Sequence, residues 1–299
     1  MTTRWPSGRS AIVRRQCTPG YVALLVRFVN AEGRAAILVG EEFFDVEAIS
    51  GGRIGPDPRA AVIDHWDELL VLDERGATSG GRAIESVRLG PPVPCPPVLL
   101  CVIANFPPAE RSEFPMIVGK SPTTVVGPND DIVLPDAAAL PLGEAWVIPE
   151  PELGIVTRAA PRHLSSTEAA SFIAGFVVAQ DITERRHEFG SSPSPWTWSN
   201  LPAKTLGKSF DTFCPLGPAL VTLDELSDPW TLTKRCWING RLVVDQSTAD
   251  MLWRPAELVA LVSSFMALPA GLVCLAGSGG TIDGSPIPSS MPATESRPR

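Results

Sequence analysis

Apolar residues fall in short runs broken by Gly, Pro, Asn and Asp, and few stretches keep a helical period, so the chain reads as mainly strands. Residues 23–28 and 35–40, joined by Asn30-Ala31-Glu32-Gly33, predict a hairpin, and Phe43-Phe44-Asp45-Val46 adds a third strand. Residues 60–72 read as helix. Residues 98–104 form a buried strand ending at Asn105, and residues 125–135 read as strand, turn, strand. A strand is predicted over 149–156, and a helix over 167–174 capped by Ser165 or Ser166 with Glu168 in its first turn. The apolar run 171–180 ends in Asp181. Residues 189–203 make a long surface loop whose Trp196 and Trp198 pack on the body or over a ligand. Asn239-Gly240 supplies a type I′ hairpin turn within 236–244. The apolar stretch 258–276 is broken by Leu268-Pro269-Ala270-Gly271 into a helix and a short strand, so neither piece spans a bilayer.

Gly90 to Pro97 holds five prolines, which places a domain boundary there. The expected organisation is a disordered extension over 1–20, a small β-rich domain over 21–90, a larger domain over 96–284 and a disordered tail over 285–299. The fold class is α+β, mainly β. With 299 residues and 44% hydrophobic content there is enough apolar surface for a sizeable core. A net charge of −8 with scattered basic residues leaves no footprint for nucleic acid, so a small-molecule partner is expected. The six cysteines show no C-x-x-C pair and read as reduced and structural, which points to the cytoplasm.

The chemistry is concentrated in carboxylates. Glu150 and Glu152 are two apart on a predicted strand and so share a face, and Asp181 stands where the next apolar run emerges into a loop. Three such groups suit a hard divalent cation that keeps open positions for substrate oxygens.

Several ordered motifs between about Ala23 and Gly284 together resemble the fumarylacetoacetate hydrolase family. They are Leu25-Val26-Arg27-Phe28 with Phe44-Asp45-Val46, Val102 to Phe106, Glu150-x-Glu152-Leu153, Gly175-Phe176 with Gln180-Asp181 and Arg185, Gly207-Lys208-Ser209-Phe210-Asp211, Pro215-Leu216-Gly217-Pro218, Asn239-Gly240, and Gln246-Ser247-Thr248 with Met251. The resemblance implies a mixed β-roll domain binding Mg²⁺, or Mn²⁺ or Ca²⁺, through Glu150, Glu152 and Asp181. It implies a 2-oxo or β-dicarbonyl (β-keto) acid substrate, and C–C hydrolysis, decarboxylation or tautomerisation through an enolate. A homodimer is the family's usual assembly. Lys208 matches the family's active-site lysine, and Lys120 and Thr281 are matched substrate-binding positions. Arg185 either binds a substrate carboxylate or pairs with Asp181 or a neighbouring Glu.

The departures are as informative. The family's water-activating His and Glu fall at positions occupied here by Ala109 and Ser112. Glu110 or Glu113 is the candidate replacement base, provided burial raises its pKa, and His187 is the one histidine placed to face the metal. Glu188 stands where the family often has a substrate-contacting Gln, and where the family has Thr-Gly-Thr-Pro this chain reads Leu275 to Thr281, whose Gly277 to Gly280 either offer backbone N–H groups to a carboxylate or form a plain Gly-rich turn. A surviving carboxylate triad without the hydrolytic dyad favours decarboxylation or tautomerisation over water attack. The alternative is a non-catalytic binding or scaffolding subunit.

Overall fold

Asn30-Ala31-Glu32-Gly33 turns the chain back so that Arg27–Ala31 pairs with Arg34–Val39, Ala31 facing Arg34. Glu32 and Gly33 both take positive φ, 54° and 83°, giving the twist a two-residue hairpin needs. Glu42–Asp45 adds the third strand. The computed structural model describes residues 27–72, 80–186 except 142 and 144, and 201–280 except 227 and 229. The readings at 1–20, the loop at 189–200 with Trp196 and Trp198, His187, Glu188, Thr281 and the tail from 285 lie outside the described residues, while 201–203, read as the end of that loop, begin the helix Leu201–Gly207.

The chain is mostly sheet with short helices. The helix expected over 60–72 is two pieces, Pro58–Asp64 and Trp66–Leu69. His65, at φ −128°, breaks the helix between them, and Trp66 and Leu69 enter the core. Ser165 and Glu168 form a reciprocal capping box, but the helix Ser166–Ala170 stops early because Ile173–Gln180 is claimed by neighbouring strands. Ile132 to Leu134 is not a strand. Val133 is exposed there, and its N–H bonds the Thr212 hydroxyl at 2.8 Å instead of a ladder partner. The stretch 258–276 divides as expected into the helix Pro255–Phe265 and the strand Val273–Leu275. Among the described residues no helix is long and apolar enough to cross a membrane.

Eleven strands of the described residues form one sheet. Its middle runs Ala219–Val221, Ile173–Gln180, Pro151–Thr157, Val273–Leu275, Leu99–Ile103, antiparallel except for the last pair. The strands before the Pro-rich segment join the same sheet, since Arg27 faces Val221 and Val29 faces Ala219. One core cluster likewise holds Phe28 and Ile54 together with Cys101, Val177 and Leu220. On Pro151–Thr157, Leu153 and Ile155 pack with Leu258 and Val259 of the helix, while Val156 packs with Ala174 and Val177. The strand is therefore covered on both sides, and even-numbered residues face away from that helix. Asn239 and Gly240, both at positive φ, close the predicted hairpin between Thr233–Ile238 and Arg241–Ser247. The five described cysteines are free, and all but Cys95 are buried.

Candidate active site

Pro151 faces Gln180 and Glu152 faces Ala179 in an antiparallel pair, and the Asp181 N–H donates to the Glu150 carbonyl at 2.8 Å, carrying the pairing one step further. Facing residues on adjacent strands share a side of the sheet, as do residues two apart on one strand. Glu150, Glu152 and Asp181 thus project from one face.

Lysines fill the space around them. The Lys120 ammonium donates to Asp181 Oδ1 at 2.6 Å and to the Ile182 carbonyl at 3.0 Å. That of Lys208 donates to Asp181 Oδ2 at 2.6 Å, Glu150 Oε2 at 3.0 Å and Thr183 Oγ1 at 2.8 Å. Thr183 in turn donates to Glu150 Oε2 at 2.7 Å. Burial alone would raise the Asp181 pKa, but Lys120 and Lys208 override it and hold the carboxyl down at about 2. Glu152 has no such partner. Burial, then the charges of Asp181 and Glu150, push it up to about 8, against the pull of Lys208 and Lys234.

These opposite shifts fix the pH response. Asp181 lies below its ordinary 3.8, so its contribution to stability is present above that value and is lost as pH falls from about 4 to 2. Glu152 lies above its ordinary 4.5, so stability is lost as pH rises towards about 8. In EDTA, the Tm from scanning calorimetry is expected to peak near pH 5 and decline on both sides; a flat profile between pH 5 and 9 would contradict the assignment of Glu152.

A second layer fixes this constellation. Asn105 closes the strand Leu99–Ile103 onto two distant segments: its amide donates to the carbonyls of Trp253 at 3.1 Å and Ala276 at 2.7 Å, and its Oδ1 accepts from the Trp253 N–H at 2.7 Å. The next residue of the last segment, Gly277, donates its N–H to Glu152 Oε2 at 2.5 Å. Its carbonyl accepts from the Lys234 ammonium at 2.9 Å, which lies 3.8 Å from the centre of the Phe106 ring.

Of the residues singled out in the sequence, Glu150, Glu152, Asp181, Lys120 and Lys208 come together. The Lys120 side chain is 0% exposed and donates to Asp181 and the Ile182 carbonyl. Arg185 is half-buried, with its backbone N–H on the Trp146 carbonyl, and the Asp181 carboxylate is taken by the two lysines. Glu110 and Glu113 are exposed, without the burial that a carboxyl base requires. Sequence reasoning passed over Thr183, signalled by lying two residues beyond Asp181, and Lys234, signalled by the strand alternation that turns it inward with Cys236.

Among the described residues no three His, Cys, Asp or Glu side chains close into a ready-made metal cage. The donor set nonetheless fits a hard divalent cation: three carboxylates share one face, and a cationic nitrogen already bridges two of them.

A family model described as fumarylacetoacetate (FAA) hydrolase C-terminal matches residues 101–295. The chain belongs to the fumarylacetoacetate hydrolase family. A mitochondrial oxaloacetate tautomerase of Bos taurus is 35% identical over 193 residues, covering 62% of this chain and 57% of that protein. The chain thus spans somewhat over half the length of the curated relatives it matches. Among solved structures, the 2-hydroxyhepta-2,4-diene-1,7-dioate isomerase of Mycobacterium marinum superposes with a TM-score of 0.61 at 27% identity, covering 86% of this chain and 87% of that one. Maleylpyruvate hydrolase of Sphingobium sp. SYK-6, solved with manganese(II) and pyruvate, has a TM-score of 0.66 at 24% identity, covering 85% and 89%. The chain shares its fold with both solved structures.

Proposed function

We propose that this chain is a divalent-cation-dependent enzyme that interconverts the keto and enol forms of a 2-oxo or β-dicarbonyl acid. Glu150, Glu152 and Asp181 would hold Mg²⁺ or Mn²⁺. The observation that carries the reading is their common face with Lys208 between two of them. A cation there supplies positive charge beside a carbonyl oxygen, which lowers the cost of the negative charge that enolisation develops. The protein's own groups hold the constellation in place. Lys120 pins Asp181, Thr183 orients Glu150, and the Gly277 N–H fixes Glu152. Glu150 is the most open of the three carboxylates, with 15% of its side chain exposed, so a ligand approaches from that end.

Tautomerisation is favoured over hydrolysis for two reasons. Positions 109 and 112 carry Ala and Ser, and the neighbouring Glu110 and Glu113 face solvent, so that segment holds no group to activate water. The relative at 35% identity is named an oxaloacetate tautomerase.

The test is hydrogen–deuterium exchange at the carbon next to the carbonyl, followed by NMR for oxaloacetate and a panel of 2-oxo diacids. Exchange is expected with Mg²⁺ or Mn²⁺, to vanish in EDTA, and to fall about 10²-fold or more in Glu150→Gln. Exchange indifferent to both would sink the reading. Cation binding by calorimetry with no exchange on any substrate would support a non-catalytic binding subunit instead.

A further inference from the structure

The chain has four lysines against twenty-one arginines. None is on the open surface: Lys120, Lys204 and Lys208 are buried and Lys234 is half-buried. Lys120 and Lys208 serve Asp181. Lys234 has a different setting. It lies on Thr233–Ile238, whose exposed Thr233, Arg235 and Trp237 face out while Lys234 and Cys236 turn in. Its hydrogen bond goes to the Gly277 carbonyl, not to a carboxylate, and its ammonium rests against the face of Phe106. Glu152 is held by the N–H of the same Gly277, so the amine and the carboxylate site share one residue as anchor. Phe106 opens the segment that carries Ala109 and Ser112, and the ammonium therefore lies beside the segment that lacks a base.

We propose that Lys234 is the proton-transfer residue of this site. The inference rests on the keto–enol reading above. In the forward direction the neutral amine takes a proton from the carbon next to the carbonyl; the C–H pair becomes the carbon–carbon double bond and the carbonyl pair moves onto oxygen. The ammonium then returns the proton to that oxygen, so the amine is regenerated and no other reactant is needed.

The surroundings suit the task. Burial pulls the Lys234 pKa down to about 8, opposed by the charges of Glu152, on the strand packed against it, and of Glu150, just before that strand. Asp245, the acidic residue of the paired strand nearest in register, is engaged outward with Arg235. An amine near neutrality holds both of its forms in useful amounts, which an arginine cannot do. Lys234 is partly exposed, whereas the Lys120 side chain has no exposed surface.

The experiment compares wild type, Lys234→Met and Lys234→Arg with Mn²⁺ bound, reading exchange rate against pH, thermal midpoint and cation affinity. Both variants are expected to lose about 10²-fold or more in kcat for exchange while KM changes little, and to lose the alkaline rise that a titrating amine base gives the wild-type rate. Cation affinity and thermal midpoint are expected to stay close to wild type, and their retention separates proton transfer from a merely structural clip on Gly277. A Lys234→Met protein that keeps the wild-type rate and pH profile would overturn the inference and leave the keto–enol reading standing. Absence of exchange in wild type itself would overturn both.

Discussion

Asp181→Asn is expected to lower the stability of the protein by about 3–5 kcal/mol and to abolish cation-dependent exchange. Both Asp181 oxygens accept from an ammonium at 2.6 Å, and the carboxylate is 1% exposed. An Asn offers one oxygen and one NH₂, so whichever way it turns, one ammonium meets a donor. That charge is then buried without its partner, and Lys120, with no exposed side-chain surface, has no route to water. Urea denaturation gives the stability change as a shift in midpoint at constant slope. A loss below about 1 kcal/mol would show that the lysines are solvated in solution and that the ion pairs are worth no more than surface ones.

Gly277→Ala is expected to cost about 2–3 kcal/mol and to weaken exchange as well. Gly277 sits at φ 93°, and a Cβ there would stand 2.8 Å from Asn105 Cβ and 3.0 Å from the Val102 carbonyl. Neither is the end of a flexible side chain, so the loop must move, and the anchors for Glu152 and Lys234 move with it. Gly240 provides the control. Its φ is 76°, but a Cβ there meets nothing within 4 Å. Gly240→Ala therefore keeps the backbone strain, about 1–2 kcal/mol, without the collision. Equal losses in the two variants, measured by urea denaturation, would assign the whole effect to backbone strain.

The carboxylate site was legible because it depends on local spacing. Glu150 and Glu152 follow the period of a strand, and Asp181 ends an apolar run, so a common face needed only the pairing of two neighbouring strands. The two Gly hairpins were legible for the same reason: Glu32-Gly33 and Asn239-Gly240 supply the positive φ that a tight turn demands. What escaped were features set by distant partners. The Asn105 clip joins segments nearly 150 and 171 residues away, which no periodicity records. That the Lys120 ammonium would lie on Asp181 does not show in its position along the chain. Lys234 reads on its own as one more polar residue on a hairpin. Ile132 to Leu134 has strand composition, but the Val133 N–H is taken by the hydroxyl of Thr212, nearly eighty residues away.

The confinement of lysines also keeps the side-chain amines of the folded protein quiet towards amine-directed chemistry. Three of the four side chains are sealed inside, and the fourth is shielded by Phe106 and the Gly277 carbonyl. An acylating reagent therefore reports little while the native packing holds. Once the Gly277 loop lifts away, the first side-chain amine to become reactive is the one at position 234, so the rate of acylation there becomes a clock for how often this pole of the molecule breathes open.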